Sequence, residues 1–241
     1  SSFTKRKLEF IMNELMYLGE KCFGYSEYWI NTEKYDTVGL IFNGVGCLFW
    51  VICYAVLVKT MVKKKFVEMP FFIACGNLAW EFIWSVFWHP DTGLLFSLSY
   101  QIAFLLDCFI FFYVLKYGYK FIHIPDVKKH WKVICIISLI GWIPINFFFV
   151  YNGFDNCIGA NSGYILNIII SVLYPYSMIQ IGAQHYSKTV AWCKMLGTGL
   201  ITVSMFLFYP DNYFTQTLGV MVLILDCYYI HLLDRKKDEI S

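Results

Sequence analysis

Three carboxylic acids lie in stretches of this sequence where a charge is costly: Glu81 in "GNLAWEFIWSVFW", Asp107 in "FLLDCFIFF" and Asp226 in "VLILDCYYI". In an apolar setting without a counter-charge, desolvation favours the neutral carboxyl, and a neutral carboxyl is a proton donor. Asn77, Glu81, Trp84 and Trp88 follow at intervals of four, three and four, which puts them on one helical face. There an amide could orient the acid, while Trp80 and Trp84 wall the space in front of it and Trp88 marks the helix end as a belt residue. In the same way Val222, Asp226, Tyr229 and Leu233 share a face, Tyr164, Asn167, Ser171 and Tyr174 form a polar-aromatic stripe, and Trp142 accompanies Asn146. Each such Asn, Ser or Tyr is equally readable as interhelical hydrogen-bond glue. Aromatics make up 20% of the chain, and many, such as Phe104, fall inside apolar runs. Their faces attract cations by about 2 kcal/mol or more when desolvated, so acid and walls together suit carbocation chemistry started by protonation.

The elements that must position these groups are membrane helices. Of the 241 residues, 59% are hydrophobic and only 15% charged, and the mean hydropathy is +0.56; soluble domains carry roughly 25% charge. A bilayer core about 30 Å thick needs roughly 20 apolar residues per helix. Seven stretches qualify, at 37–60, 70–88, 94–116, 131–151, 162–183, 190–209 and 214–233. The expectation is an all-α membrane protein, a compact seven-transmembrane-helix bundle over residues 36–241, preceded by an N-terminal segment at 1–35. Glu81 then lies roughly 10 Å in from Trp88 and Asp226 roughly 18 Å in from Phe214, too deep for short side chains to reach an interface. No basic residue is expected at that depth, so the acids have no evident ion-pair partner.

Charge orients the bundle. Fourteen of the 19 Lys and Arg residues, Lys194 among them, fall in connections on one side, whereas "HPDTG", "YNGFDNCIGANSG" and "YPDNYFTQ" carry none. The positive-inside bias places the N-terminus outside or in a lumen and the C-terminus in the cytoplasm. Within residues 1–35, Leu8, Ile11, Met12, Leu15 and Met16 share one face, as in an amphipathic helix lying on the membrane surface. The nine cysteines include no C-x-x-C pair, which argues against a zinc site. Most read as small packing residues, while Cys22 and Cys157 both fall on the outer side, where a disulfide is chemically allowed. The five histidines sit near span ends, so no metal is expected, and the modest net charge of +2 does not suggest a nucleic-acid partner.

The short motifs "GNLAWEF", "LLDCFIFFYVLKYG" and "LILDCYYIHLL", in a chain of this size and span count, resemble the integral membrane terpene cyclases of fungal meroterpenoid and indole-diterpene pathways, the pyripyropene and paspaline cyclase type. The resemblance implies a class II reaction: protonation of a terminal epoxide or alkene of a prenylated or isoprenoid substrate, then ring closure and proton loss. It implies two essential acids, at positions matching Glu81 and Asp226, and an endomembrane location such as the endoplasmic reticulum. Accessory roles are expected for Asn77, Asp107, Tyr229, Asn146 and Asn167, with Trp80, Trp84, Phe104, Trp142 and Tyr174 around the substrate. Neither the D-x-D-D acid motif nor the D-D-x-x-D magnesium motif occurs, in keeping with a reaction that needs no cofactor.

Two alternatives stay open at this stage. A small seven-helix receptor or transporter also uses intramembrane acids as proton relays, although the last span has no lysine for a retinal Schiff base and no internal repeat is seen. Another seven-helix lipid-modifying enzyme would share the bilayer and the hydrophobic substrate.

Overall fold

A computed structural model describes residues 26–239. Eight α-helices account for the architecture: α1 (Thr37–Lys64), α2 (Phe71–Phe82, continued by a π-helical turn at Ile83–Phe87), α3 (Leu94–Tyr117), a short α4 (Pro125–Lys129), α5 (Trp131–Tyr151), α6 (Ala160–Ile181), α7 (Lys188–Phe208) and α8 (Tyr213–Asp238). Six of them, all but α2 and α4, are long and apolar enough to cross a membrane. Seven crossings were expected. The stretch expected at 70–88 forms a shorter apolar helix, Phe71–Phe87, which at 1.5 Å per residue rises about 26 Å, less than the roughly 30 Å core.

Helix ends follow from local chemistry. Asp36 caps α1 by accepting the Gly39 amide at 2.9 Å, Ser187 caps α7 through the Val190 amide, and Asn212 caps α8 through the Thr215 amide at 3.2 Å. Each satisfies an amide that the first turn leaves without an intrahelical acceptor. At the far end of α1, Lys65 adopts a left-handed conformation that returns its amide to Met61.

Packing closes six helices into a ring in the order α1, α7, α8, α6, α2, α3 and back to α1, with α5 outside against α2. Ile136, Ile137 and Ile140 on α5 and Leu105 and Phe112 on α3 are exposed, as expected of faces turned to lipid. Between helices in hydrocarbon there is little hydrophobic drive, so small residues that let backbones approach carry much of the packing. A Cβ at Gly46 of α1 would stand 2.8 Å from the Gly197 carbonyl of α7, and one at Gly219 of α8 would stand 2.4 Å from Thr202. One end of the ring bears the basic connections. At the other, residues 26–35 knit the loops into a cover: the Asn31 amide bonds the Thr92 carbonyl, the Leu94 and Leu95 amides bond Tyr28 and Trp29, and Asp91 receives Lys34 and the Tyr35 hydroxyl.

Candidate active site

Inside the ring, in the half nearer that cover, lies a cavity of about 140 Å³ bounded by α1, α2, α3, α6 and one residue of α7. Four of the expected site residues, Asn77, Trp80, Glu81 and Asn167, line it. Glu81 is 7% exposed, and its Oε2 is buried without a hydrogen-bond partner. No Lys, Arg or His lines the cavity. Glu81 sits at the last α-helical turn before the π turn, where the Trp88 amide returns to the Ile83 carbonyl at 3.0 Å. That extra residue per turn alters the face read from regular helical spacing. Trp84, expected in front of the acid, instead packs its indole where a Cβ of Gly159 would fall, 2.5 Å away, and Gly159 holds φ at +72°, a conformation glycine adopts freely. Trp88, expected at an interface, is buried against Phe147, with ring centroids 4.8 Å apart.

Asn77 does not hold Glu81. Its amide donates to the Tyr54 hydroxyl of α1 at 3.4 Å. Asp107 of α3 is buried, with no well-formed hydrogen bond to either oxygen, and interacts electrostatically with Glu81 and Tyr54. Glu81 and Asp107 are thus two interacting buried carboxyls, of which Glu81 lines the cavity and Asp107 does not.

Trp80 is fixed on two sides. Its indole N–H donates to Ser162 Oγ at 2.8 Å, and its ring lies 5.3 Å from that of Tyr100. Ser162 donates in turn to Asp155, which also accepts the amides of Asn156 and Asn161. Burial of Asp155 in this loop pushes its carboxyl up to about 6. The wall opposite the Trp80 ring is Gly163, where a Cβ would come no closer than 3.5 Å.

Asp226 is elsewhere, and its surroundings overturn the expectation of an acid without a partner. Lys194 of α7, assigned from the sequence to a connection, is 3% exposed and places Nζ 2.6 and 2.7 Å from the two Asp226 oxygens. Ser171 of α6 donates to Asp226 at 2.8 Å. Both carboxyl oxygens therefore face the Lys194 ammonium. Neither residue lines the cavity. Tyr229 packs with Tyr174, at 5.6 Å between ring centroids, in a cluster reaching Tyr186 near the basic end. Asn146 donates to its own helix at Trp142, Trp142 packs on Phe72, and Phe104 packs on Phe82. These five expected residues (Asn146, Trp142, Phe104, Tyr174 and Tyr229) thus stand outside the cavity lining. Cys22 lies outside the described residues, as does the amphipathic stretch around Leu8 to Met16; Cys157 sits in the loop beside Asp91, whose amide it receives.

Several lining residues were not singled out beforehand: Asn43, Cys47, Trp50 and Tyr54 on α1, and Tyr100 on α3. The α1 set recurs every three or four residues, a polar and aromatic stripe that was legible in the sequence. Nothing comparable marks Tyr100.

A family model of Pyr4-like transmembrane terpene cyclases matches residues 30–233. Among curated proteins, the terpene cyclase ascF of Acremonium egyptiacum is 29% identical over 39% of this chain and 33% of its own length. The terpene cyclase adrI of Penicillium rubens is 22% identical over 48% of this chain and 44% of its own. For the terpene cyclase andB of Emericella variicolor the identity is 22%, over 44% of each. The chain thus spans between a third and a half of the length of the curated relatives it matches. No solved structure matches it. With the family model covering nearly all of the described bundle, this multi-pass chain, all-helical in its described residues, belongs to the Pyr4-like transmembrane terpene cyclases.

Proposed function

We propose that this protein is an acid-initiated, class II-type cyclase whose reaction starts at Glu81. The observation that carries the reading is the buried, unpartnered Glu81 carboxyl facing a cavity walled by Trp80, Tyr100 and Tyr54 without a basic residue. In the proposed step, Glu81 transfers its proton to the oxygen of a terminal epoxide, or to an alkene carbon, as general acid. The C–O bond breaks toward the more substituted carbon, the neighbouring alkene attacks the cation, and each new ring passes the positive charge along the polyene. Loss of a proton from carbon ends the cascade and restores a neutral product. The carboxylate left on Glu81, adjoining Asp107, is the acceptor closest to the cavity, and two such carboxyls hold one proton between them more easily than none.

Trp80, with its edge tethered to Ser162, presents an aromatic face that does not move as charge develops, and such preorganised groups stabilise a transition state without reorganising. The cavity of about 140 Å³ is comparable to an engineered one of about 150 Å³ that takes benzene. It therefore houses the reacting end of a prenylated or isoprenoid substrate, with the remainder in space opened beside it. Asp226 does not act as an acid in this scheme, since Lys194 neutralises it.

In the same reading, Phe71–Phe87 completes a seventh crossing, the N-terminus is outside or lumenal, the C-terminus is cytoplasmic, and the protein resides in the endoplasmic reticulum or another endomembrane. The test is product analysis of membranes bearing wild type or Glu81→Gln, supplied with farnesylated and geranylgeranylated phenols carrying a terminal epoxide. Cyclised product from wild type and its loss in the variant, at equal protein level, support the reading. Equal product from both removes Glu81 from the mechanism.

A further inference from the structure

Lys194 takes no part in the proton transfer above, yet a buried cation in a membrane helix is too costly to be idle packing. It sits at one end of a ladder of polar contacts between α6 and α7. The Tyr164 hydroxyl meets Thr202 Oγ1 at 2.7 Å; one turn on, Thr198 Oγ1 donates to the Asn167 side-chain oxygen at 3.5 Å; one further turn on, Lys194 Nζ donates to Ser171 Oγ at 2.8 Å. On α6 the rungs are spaced by three and four residues and on α7 by four and four, so side chains of the two helices reach each other at three successive turns although α8 stands between them in the ring. Only the last rung is charged, and Asp226 of α8 closes it from behind. The first two rungs, Tyr164 and Asn167, present their side chains to the cavity.

Apolar faces in lipid slide at little cost, whereas polar partners that must be satisfied admit few registers. A one-turn slip of α6 against α7 would leave Lys194 and Asp226 holding each other but strip Ser171 from both, and would part Thr198 from Asn167. We infer that Lys194 is a positioning residue: through Asp226 and Ser171 it locks α6 and α7 in one register and thereby fixes where Tyr164 and Asn167 stand in the cavity that holds Glu81. The inference rests on the reading of that cavity as the reaction site, but its effect on cavity shape can be measured without turnover.

The experiment uses the full chain in lipid nanodiscs, as wild type, Lys194→Arg, Ser171→Ala and the neutral pair Lys194→Met with Asp226→Asn. Three readouts are taken: the thermal midpoint, the rate at which N-ethylmaleimide labels Cys47, which lines the same cavity, and the ratio of fully cyclised to early-quenched products from an epoxide-bearing farnesylated phenol. Ser171→Ala and the neutral pair are expected to change Cys47 labelling by about threefold or more, the scale of a modest coupling energy, and to shift products toward early quenching. Lys194→Arg, which keeps the charge, should restore both. Wild-type labelling and product ratio in Ser171→Ala and in a folded neutral pair would overturn the inference and leave the pair as helix glue. If the neutral pair fails to fold, Ser171→Ala decides alone. If wild type leaves the probe unchanged while labelling still shifts, the cyclase reading fails for that substrate and the positioning role stands.

Discussion

Glu81 and Asp226 are both carboxylic acids buried in the same bundle, and the fold surrounds them in opposite ways. Around Glu81 the walls are indole, phenol and amide, the neighbouring charge-capable group is another acid, and one carboxyl oxygen has no partner. Around Asp226 both oxygens receive an ammonium and one also receives a hydroxyl. Burial without a counter-charge makes a carboxyl a proton store; burial with one makes it a fixed anion that ties helices together. On the proposed reading, the presence or absence of a neighbouring cation separates the roles of the two acids.

The contrast breaks most readily at Glu81. Glu81→Gln keeps shape and hydrogen-bonding capacity but has no proton to give, so product formation should fall about 10²- to 10⁴-fold, the usual contribution of a general acid, with the thermal midpoint little changed. A variant that cyclises at the wild-type rate would make the two acids alike after all.

Asp226→Asn should instead act first on stability. It leaves Lys194 buried with a neutral partner, which costs about 3–5 kcal/mol when a buried pair is broken on one side. Thermal unfolding in nanodiscs should show a lower midpoint for this variant, and adding Lys194→Met should recover most of the loss. No recovery in the double variant would mean that Asp226 serves something other than its lysine.

Two glycines sharpen the picture of the cavity. Gly159→Ala forces a Cβ to 2.5 Å from Trp84 at φ +72°, so a loss of about 1–3 kcal/mol is expected. Gly163→Ala meets Trp80 no closer than 3.5 Å, within ordinary contact. It should therefore fold like the wild type while narrowing the cavity and altering the product ratio. Thermal midpoints and product profiles of the two variants, taken side by side, separate strain from shape.

A further buried acid gives the smallest effect. Glu68, in the connection between α1 and α2, accepts the Ser187 amide at 3.2 Å, and burial pushes its carboxyl up to about 8 although Lys64 and Lys237 oppose the shift. It lies between the two extremes, part satisfied and part not. Because the folded value is raised above the ordinary 4.5, Glu68's contribution to stability is fully present below about 4.5 and is lost as pH rises through about 8. Glu68→Gln should flatten that part of a thermal-midpoint profile taken from pH 5 to 9. An unchanged slope would assign the pH dependence to another group, Asp155 at the opposite end being the next to test.

Much of this protein is dictated by sequence through short-range physics. Runs of apolar residues too long for a soluble core define the helices to within a few residues, N-capping residues such as Asp36 and Asn212 start them, and the four-residue spacing of Asn77 and Glu81 puts both in the cavity wall. Helical periodicity carries that information because it concerns neighbours on one helix. What it does not carry is which helix stands opposite. Lys194 is only six residues into α7 and reads as an interfacial lysine until α8 places Asp226 in front of it. The π turn at Ile83–Phe87 moved Trp84 and Trp88 off the face that regular spacing gave them, and ring closure left Trp142, Phe104 and Tyr174 outside the cavity. Sequence by itself determined that the acids would be buried in a helical bundle. Only the tertiary structure decided which of them would meet a cation there, because a salt bridge is a contact between helices and its partners here are 32 residues apart along the chain.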